Sequence, residues 1–206
     1  MVRTHPAIIM PKTLRVVKHF VNWPTHLLKH YGTMTSGSFN SSLRIITVIP
    51  SDGLADPFSD DAEPNAGFEL EALVETGDAI PDPLYESRLF ALAYGVSQQC
   101  ADDGGVREPI DRLGLLSLEL PLGDYLQPVA TAIGTAGVLL GILPPDFATE
   151  FTVPGGNVRV VTAQLPWSSE LDFAALGGKA GREELARRFV ADGSYHRSSL
   201  NRRLVA

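Results

Sequence analysis

The sequence predicts an α+β fold, a mostly antiparallel sheet of hairpins packed against helices. Three observations carry this. Leu126 to Ile133 and Val138 to Leu143 are apolar runs joined by Gly134-Thr135-Ala136-Gly137, which reads as an antiparallel pair. Phe151-Thr152-Val153 and Val158 to Leu165 flank Gly155-Gly156-Asn157, a second hairpin. Between the strands lies a helix from about Leu84 to Cys100, because Tyr85, Leu89, Leu92, Val96 and Cys100 recur at helical spacing on one stripe.

The remaining elements follow in order. Residues 1–22 read as a lead segment, in which Leu14 to Val21 is either a strand or a short helix. Trp23-Pro24 ends it. Leu43 to Ile49 reads as a strand, and Pro50 to Ala66 as an acidic loop. In Phe68 to Glu75, Phe68, Leu70, Ala72 and Val74 share one face while Glu69, Glu71 and Glu75 share the other, which predicts a strand with one wet face. Ala101 to Gly105 is a helix-ending turn, and Leu113 to Leu120 is a strand with Leu113 and Leu115 out of phase. Ser168 or Ser169 caps a helix whose inner face is Leu171, Ala174 and Ala175. Gly177-Gly178 breaks that helix. A last helix, about Gly181 to Ala191, pairs Glu183 with Arg187 and Glu184 with Arg188, and Gly193 closes it. One domain over residues 23–192 is expected, followed by a basic tail over residues 193–206 that reads as poorly ordered from His196 to Ala206.

Composition bounds the function. The chain has 206 residues, 44% hydrophobic and 20% charged, which suits one globular domain with its own core. Its single cysteine rules out an intrachain disulfide and any multi-cysteine metal cluster. Cys100 lies on the apolar stripe and reads as a buried, inert thiol. No apolar run approaches the ~20 residues that span a bilayer, and Ala7-Ile8-Ile9-Met10 is too short for a signal-peptide core, so a cytoplasmic location is expected. Net charge is −7 and uneven. Residues 1–49 hold six bases and no acid, residues 50–90 hold eleven acids and only Arg88, and residues 177–206 hold seven bases against three acids. The early bases are dispersed and the overall charge repels phosphate, which argues against nucleic-acid binding.

Each catalytic or ligand motif in the sequence is incomplete. His26 and His30 stand at i and i+4, but the Glu that metalloproteases place after the first His is missing. Gly32 and Gly37 have phosphate-loop spacing, yet Ser38 and Phe39 occupy the Lys and hydroxyl positions, so nothing neutralises a bound phosphate. The acidic loop lacks the alternation of a calcium loop, and there is no Gly-x-Ser-x-Gly elbow. No cofactor, metal or membrane partner is expected.

Several motifs in series carry a family resemblance. Gly67-Phe68-Glu69-Leu70, Glu75-Thr76-Gly77, a helix, Gln127-Pro128-Val129 and Gly134 before an apolar strand resemble the Suppressor of fused domain in order and approximate spacing. Upstream, Tyr31-Gly32-Thr33-Met34-Thr35 takes the place of that family's aromatic-Gly motif. Downstream, Leu165-Pro166-Trp167 through Leu171 takes the place of its strand-Pro-helix motif. The resemblance spans roughly Trp23 to Val190. It implies a non-catalytic protein-binding domain. The animal protein restrains transcription factors of Hedgehog signalling, and similar bacterial chains are associated with toxin neutralisation as immunity proteins. The expectation is a stand-alone domain rather than a two-domain clasp.

The expected partner is therefore a protein, sequestered or neutralised by apolar anchors with an acidic rim. The candidate contacts are Tyr31, Phe39, Asp56, Phe58, Asp60, Asp61, Glu63 and Trp167. An exposed strand edge is a second route. The alternative is a small hydrolase-type enzyme with a site assembled from dispersed residues, Glu69 and Glu119 with His26 or His30 being the first suspects.

Overall fold

The computed structural model of the chain describes residues 47–51, 53–58, 63–81, 84–121, 124–145 and 147–206. Its strands are β1 (Thr47–Pro50), β2 (Leu70–Thr76), β3 (Leu116–Pro121), β4 (Thr135–Leu140), β5 (Glu150–Val153) and β6 (Gly156–Gln164). Its helices are α1 (Arg88–Asp103), α2 (Arg107–Leu113) and α3 (Ser168–Asp192), with 3-10 turns at Leu84–Glu86 and Asp124–Val129.

The fold is α+β, as predicted. The sheet runs β1-β2-β6-β4-β3, and β5 also pairs β6. Four pairings are antiparallel, whereas β2 and β6 run parallel, with Leu70 opposite Arg159 and Val74 opposite Ala163. Strand β6 is the axis. Its first half holds the β5 hairpin and its last two residues hold β4, both on the edge opposite β2.

Alternation along these strands divides the core between two faces. On one face Ile49, Leu70, Ala72, Val74, Val138, Leu140, Val161 and Ala163 pack against Leu89, Leu92, Ala93, Val96 and Cys100 of α1. On the other, Leu139 meets Ala174, Leu185 and Phe189 of α3, and Val48, Leu73 and Val160 lie beneath Phe147 and Phe151.

Helix α1 begins later than predicted. Ser87 Oγ accepts from Phe90 N at 3.1 Å and caps it, leaving Tyr85 on the preceding turn, 62% exposed and off the stripe. Cys100 is buried as expected, and burial pushes its thiol up to about 12. The break at Gly178 is present. Its φ of 56° and ψ of −129° interrupt α3, a conformation glycine adopts without steric penalty. Gly193 ends α3, but the cap position falls at Trp167, whose N–H donates to Glu170 Oε2 at 2.8 Å. Glu184 pairs with Arg188 as predicted and also with Arg187, whereas Glu183 pairs with Lys179.

Four expectations are corrected. Leu126 to Ile133 is no strand: Leu126 and Val129 are buried at a spacing of three, Pro128 offers no ladder donor, and Ile133 is 76% exposed. Strand β4 therefore pairs β3 instead. Leu113 lies out of phase because it ends α2, a helix absent from the prediction, which buries Ile110. Strand β2 has no wet face, since all seven of its residues are buried, Glu71 and Glu75 included. Finally, the C-terminal residues pack: His196 is 2% exposed, and Arg202 pairs with the fully buried Glu170. The second face of β2 is covered by the segment before β5 and by the tail: Leu73 lies beneath Phe147 and Phe151, and Glu75 meets His196 and Arg197.

Candidate protein-binding surface

The acidic loop between β1 and β2 is held at both flanks by side chains that bond its backbone. At its start, Glu71 of β2 accepts from Gly53 N at 3.1 Å and Ala55 N at 3.0 Å through Oε1. Its other oxygen accepts from the Ser51 hydroxyl, and Ser51 Oγ accepts in turn from Ala72 N at 2.7 Å. A carboxylate is buried here because three donors replace the water it loses.

At the other end, Asn65 Oδ1 accepts from Phe58 N at 2.7 Å and from Gly67 N at 3.1 Å. Its Nδ2 donates back to Phe58 O at 3.3 Å. Gly67 sits at φ 54°, and a Cβ there would stand 2.3 Å from Asp56 O, so no other residue fits without moving the loop. The β5–β6 turn presses on the same loop. A Cβ on Gly155 would meet Asn65 O at 1.9 Å.

This clamped backbone presents Asp56, Pro57, Glu63 and Pro64 to solvent. Phe58 is half-buried, set edge-on against Phe68 with ring centres 5.0 Å apart. Together with Asn65, Pro154 and Gly155, the residues Pro57, Phe58, Glu63 and Pro64 line a shallow depression. The described flanks are acidic and rich in proline, and these bonds restrict their backbone.

Of the predicted contacts, the structure brings Asp56, Phe58 and Glu63 into this one loop. Trp167 lies beyond the other end of β6, roughly 25 Å away along a nine-residue strand, where it is half-buried against the main core. Tyr31, Phe39, Asp60 and Asp61 fall outside the described residues, as do His26 and His30. Of the enzyme suspects, the two described ones, Glu69 and Glu119, do not converge. Glu69 immediately precedes β2 and Glu119 lies on β3, with β6 and β4 between the two strands, so they stand more than about 14 Å apart by strand spacing alone. Both are exposed, and Glu119 accepts from Thr135 Oγ1 at 2.9 Å. Among the described residues no group of three His, Cys, Asp or Glu is placed to hold a metal, and no helix is long and apolar enough to cross a membrane.

A second concave feature was not foreseen. A cleft of about 290 Å³ opens beside the start of α1. Leu89, Leu92 and Leu165 line it with Ile80, Asp78 and Leu200. Asp78 fixes one wall: it accepts from Ser199 Oγ at 2.6 Å, Leu200 N at 3.1 Å and Asn201 Nδ2 at 3.1 Å, with Arg88 at 3.6 Å. Sequence reasoning missed both Asn65, which bonds within its own loop, and Asp78, whose partners Ser199, Leu200 and Asn201 lie in the C-terminal segment. The Asn65-x-Gly67 spacing was the one local signal, as an Asx side chain bonds the backbone two residues on.

No protein-family model matches the chain, and no curated protein does either. Among solved structures the chain is similar to one described as the Sufu-Fu complex crystal structure, at 14% identity and a TM-score of 0.47, over 78% of this chain and 70% of that one. That likeness is too loose to transfer a residue, a partner or an activity.

Proposed function

We propose that the chain is a non-catalytic protein-binding domain that sequesters or neutralises a basic protein partner, with the loop around Asp56, Phe58 and Glu63 as its contact. One observation supports this above all. The described flanks of the loop are bonded by Glu71 and Asn65 while Asp56, Pro57, Glu63 and Pro64 face outward. A surface fixed before it meets its partner loses little entropy on binding. The charge distribution supports a basic partner, since all 24 acids and 11 of the 17 bases lie at or after residue 47. Asp60 and Asp61 add to the same loop's charge in sequence. The resemblance of the sequence motifs to Suppressor of fused favours the same class. In its bacterial form it points to an immunity role in the cytoplasm, with a toxin as the partner.

The experiment is affinity capture from native cells with the tagged chain and, in parallel, with its Asp56→Asn, Asp60→Asn, Asp61→Asn variant. The reading requires one stoichiometric protein that the wild type retains and the variant loses at moderate salt. Equal capture by both chains would remove the loop from the function.

A further inference from the structure

The segment after α3 wedges into the sheet where β2 and β6 part. The two strands pair as far as Val74 and Ala163. One residue on, Glu75 O accepts from Ser198 N at 2.7 Å, and Leu165 N donates to Ser198 Oγ at 2.9 Å. The Glu75–Arg197 bridge is parallel and isolated.

The attachment is unusual in kind. The backbone of the segment is bonded to β2 at Ser198 N, and to the end of β6 it is tied by the Ser198 hydroxyl, which also donates to Ala163 O at 3.4 Å. Beyond these, and a bond from Arg188 Nη1 to Val205 O at 3.0 Å, three carboxylates hold it. Glu75 takes His196 Nε2 at 2.9 Å and Arg197 Nε at 2.5 Å. Asp78 takes Ser199, Leu200 and Asn201. Glu170 takes both terminal nitrogens of Arg202, and Val205 N at 2.9 Å. The segment leaves α3 through a sharp turn in which Tyr195, not a glycine, holds φ 49°. Backbone in that region is strained for a bulky residue.

A strand locked in a ladder opens only with its sheet. A segment held by carboxylates at three points and strained at its root opens on its own, because little ladder and little core are lost with it. Its Ser198, Ser199 and Leu200 also line the cleft over Leu89, Leu92 and Leu165. We propose that Ser194 to Val205 is a releasable strap, which opens as a unit without unfolding the sheet and uncovers both the β2–β6 fork and the leucine floor of the cleft.

Native-state hydrogen exchange on the full chain tests this, comparing the wild type with Asp78→Asn. The amides of Ser198, Leu165 and Val205 should exchange at least about tenfold faster than those of the β2–β6 ladder. The variant should accelerate all three by about another tenfold while the ladder stays unchanged, since one charge-assisted clamp is weakened. Trypsin should then cut after Arg197 with the core intact. Ser199→Ala, which removes one bond to Asp78 without changing any charge, serves if Asp78→Asn fails to fold. Two results would overturn the proposal. In one, strap and ladder amides accelerate together, so that the segment is part of the cooperative core. In the other, only Leu200 beside Asp78 responds, so that the three clamps do not open as one.

Discussion

The Glu75 carboxylate, 1% exposed within the sheet, lies 2.9 Å from Nε2 of His196, a residue 121 positions further along the chain. Burial alone would push that carboxyl up, but the hydrogen bond and charge of His196, then those of Arg197, outweigh it and hold Glu75 below its ordinary value of 4.5. Folding therefore stabilises the ionised form. The stability this contributes is complete above the unfolded value near 4.5 and is lost as pH falls through the lower folded value. Urea midpoints should fall on acidification below about pH 4.5, and Glu75→Gln should flatten that part of the curve while costing about 1.5–3 kcal/mol at neutral pH. An identical acid limb in both proteins would show that other carboxyls carry it.

Asn65 should matter more to the loop than any of its acids do. Asn65→Ala strips the acceptor from Phe58 N and Gly67 N, and should cost about 1–3 kcal/mol in urea unfolding. Asn65→Asp keeps both acceptors and should recover most of that. Equal losses for the two would place the effect outside these bonds.

At Gly67 backbone conformation and space both oppose a side chain. Gly67→Ala puts a Cβ at φ 54° against two carbonyl oxygens, Asp56 O and Leu54 O. A loss of about 2 kcal/mol or more is expected from chemical denaturation, since the strain cannot be relieved without moving the loop.

The second sheet face depends on Phe189, which is fully buried between α3 and the sheet. Phe189→Ala should cost about 3–5 kcal/mol. Leu176→Ser, at a side chain 91% exposed beside the α3 break, should shift stability by less than about 0.5 kcal/mol. Thermal melts of the two variants check the contrast.

Much of this fold was legible because its signals are local. The stripe of Leu89, Leu92, Val96 and Cys100 placed α1, and Gly155 between Val153 and Val158 placed the β5–β6 hairpin. The errors came where meaning depends on a distant partner. Glu71 and Glu75 read as solvent-facing because nothing near them in sequence reveals Gly53, Ala55 or His196. Leu126 and Val129 read as a strand because an apolar run does not distinguish alternation from one short turn. The His196 to Ala206 tail read as loose because its bases looked solvated, whereas Glu75, Asp78 and Glu170 receive it. Within the candidate contact surface, the exposed Asp56 and Glu63 were legible by charge. The clamps that fix them in place were not.

Association kinetics test the central claim most directly. With the captured partner in hand, stopped-flow on-rates would be measured across salt for the wild type and for the Asp56→Asn, Glu63→Gln variant. The loop account predicts a steep fall in wild-type on-rate with salt and, for the variant, a slower on-rate at low salt with a shallower slope. Superimposable salt dependences for the two chains would contradict it.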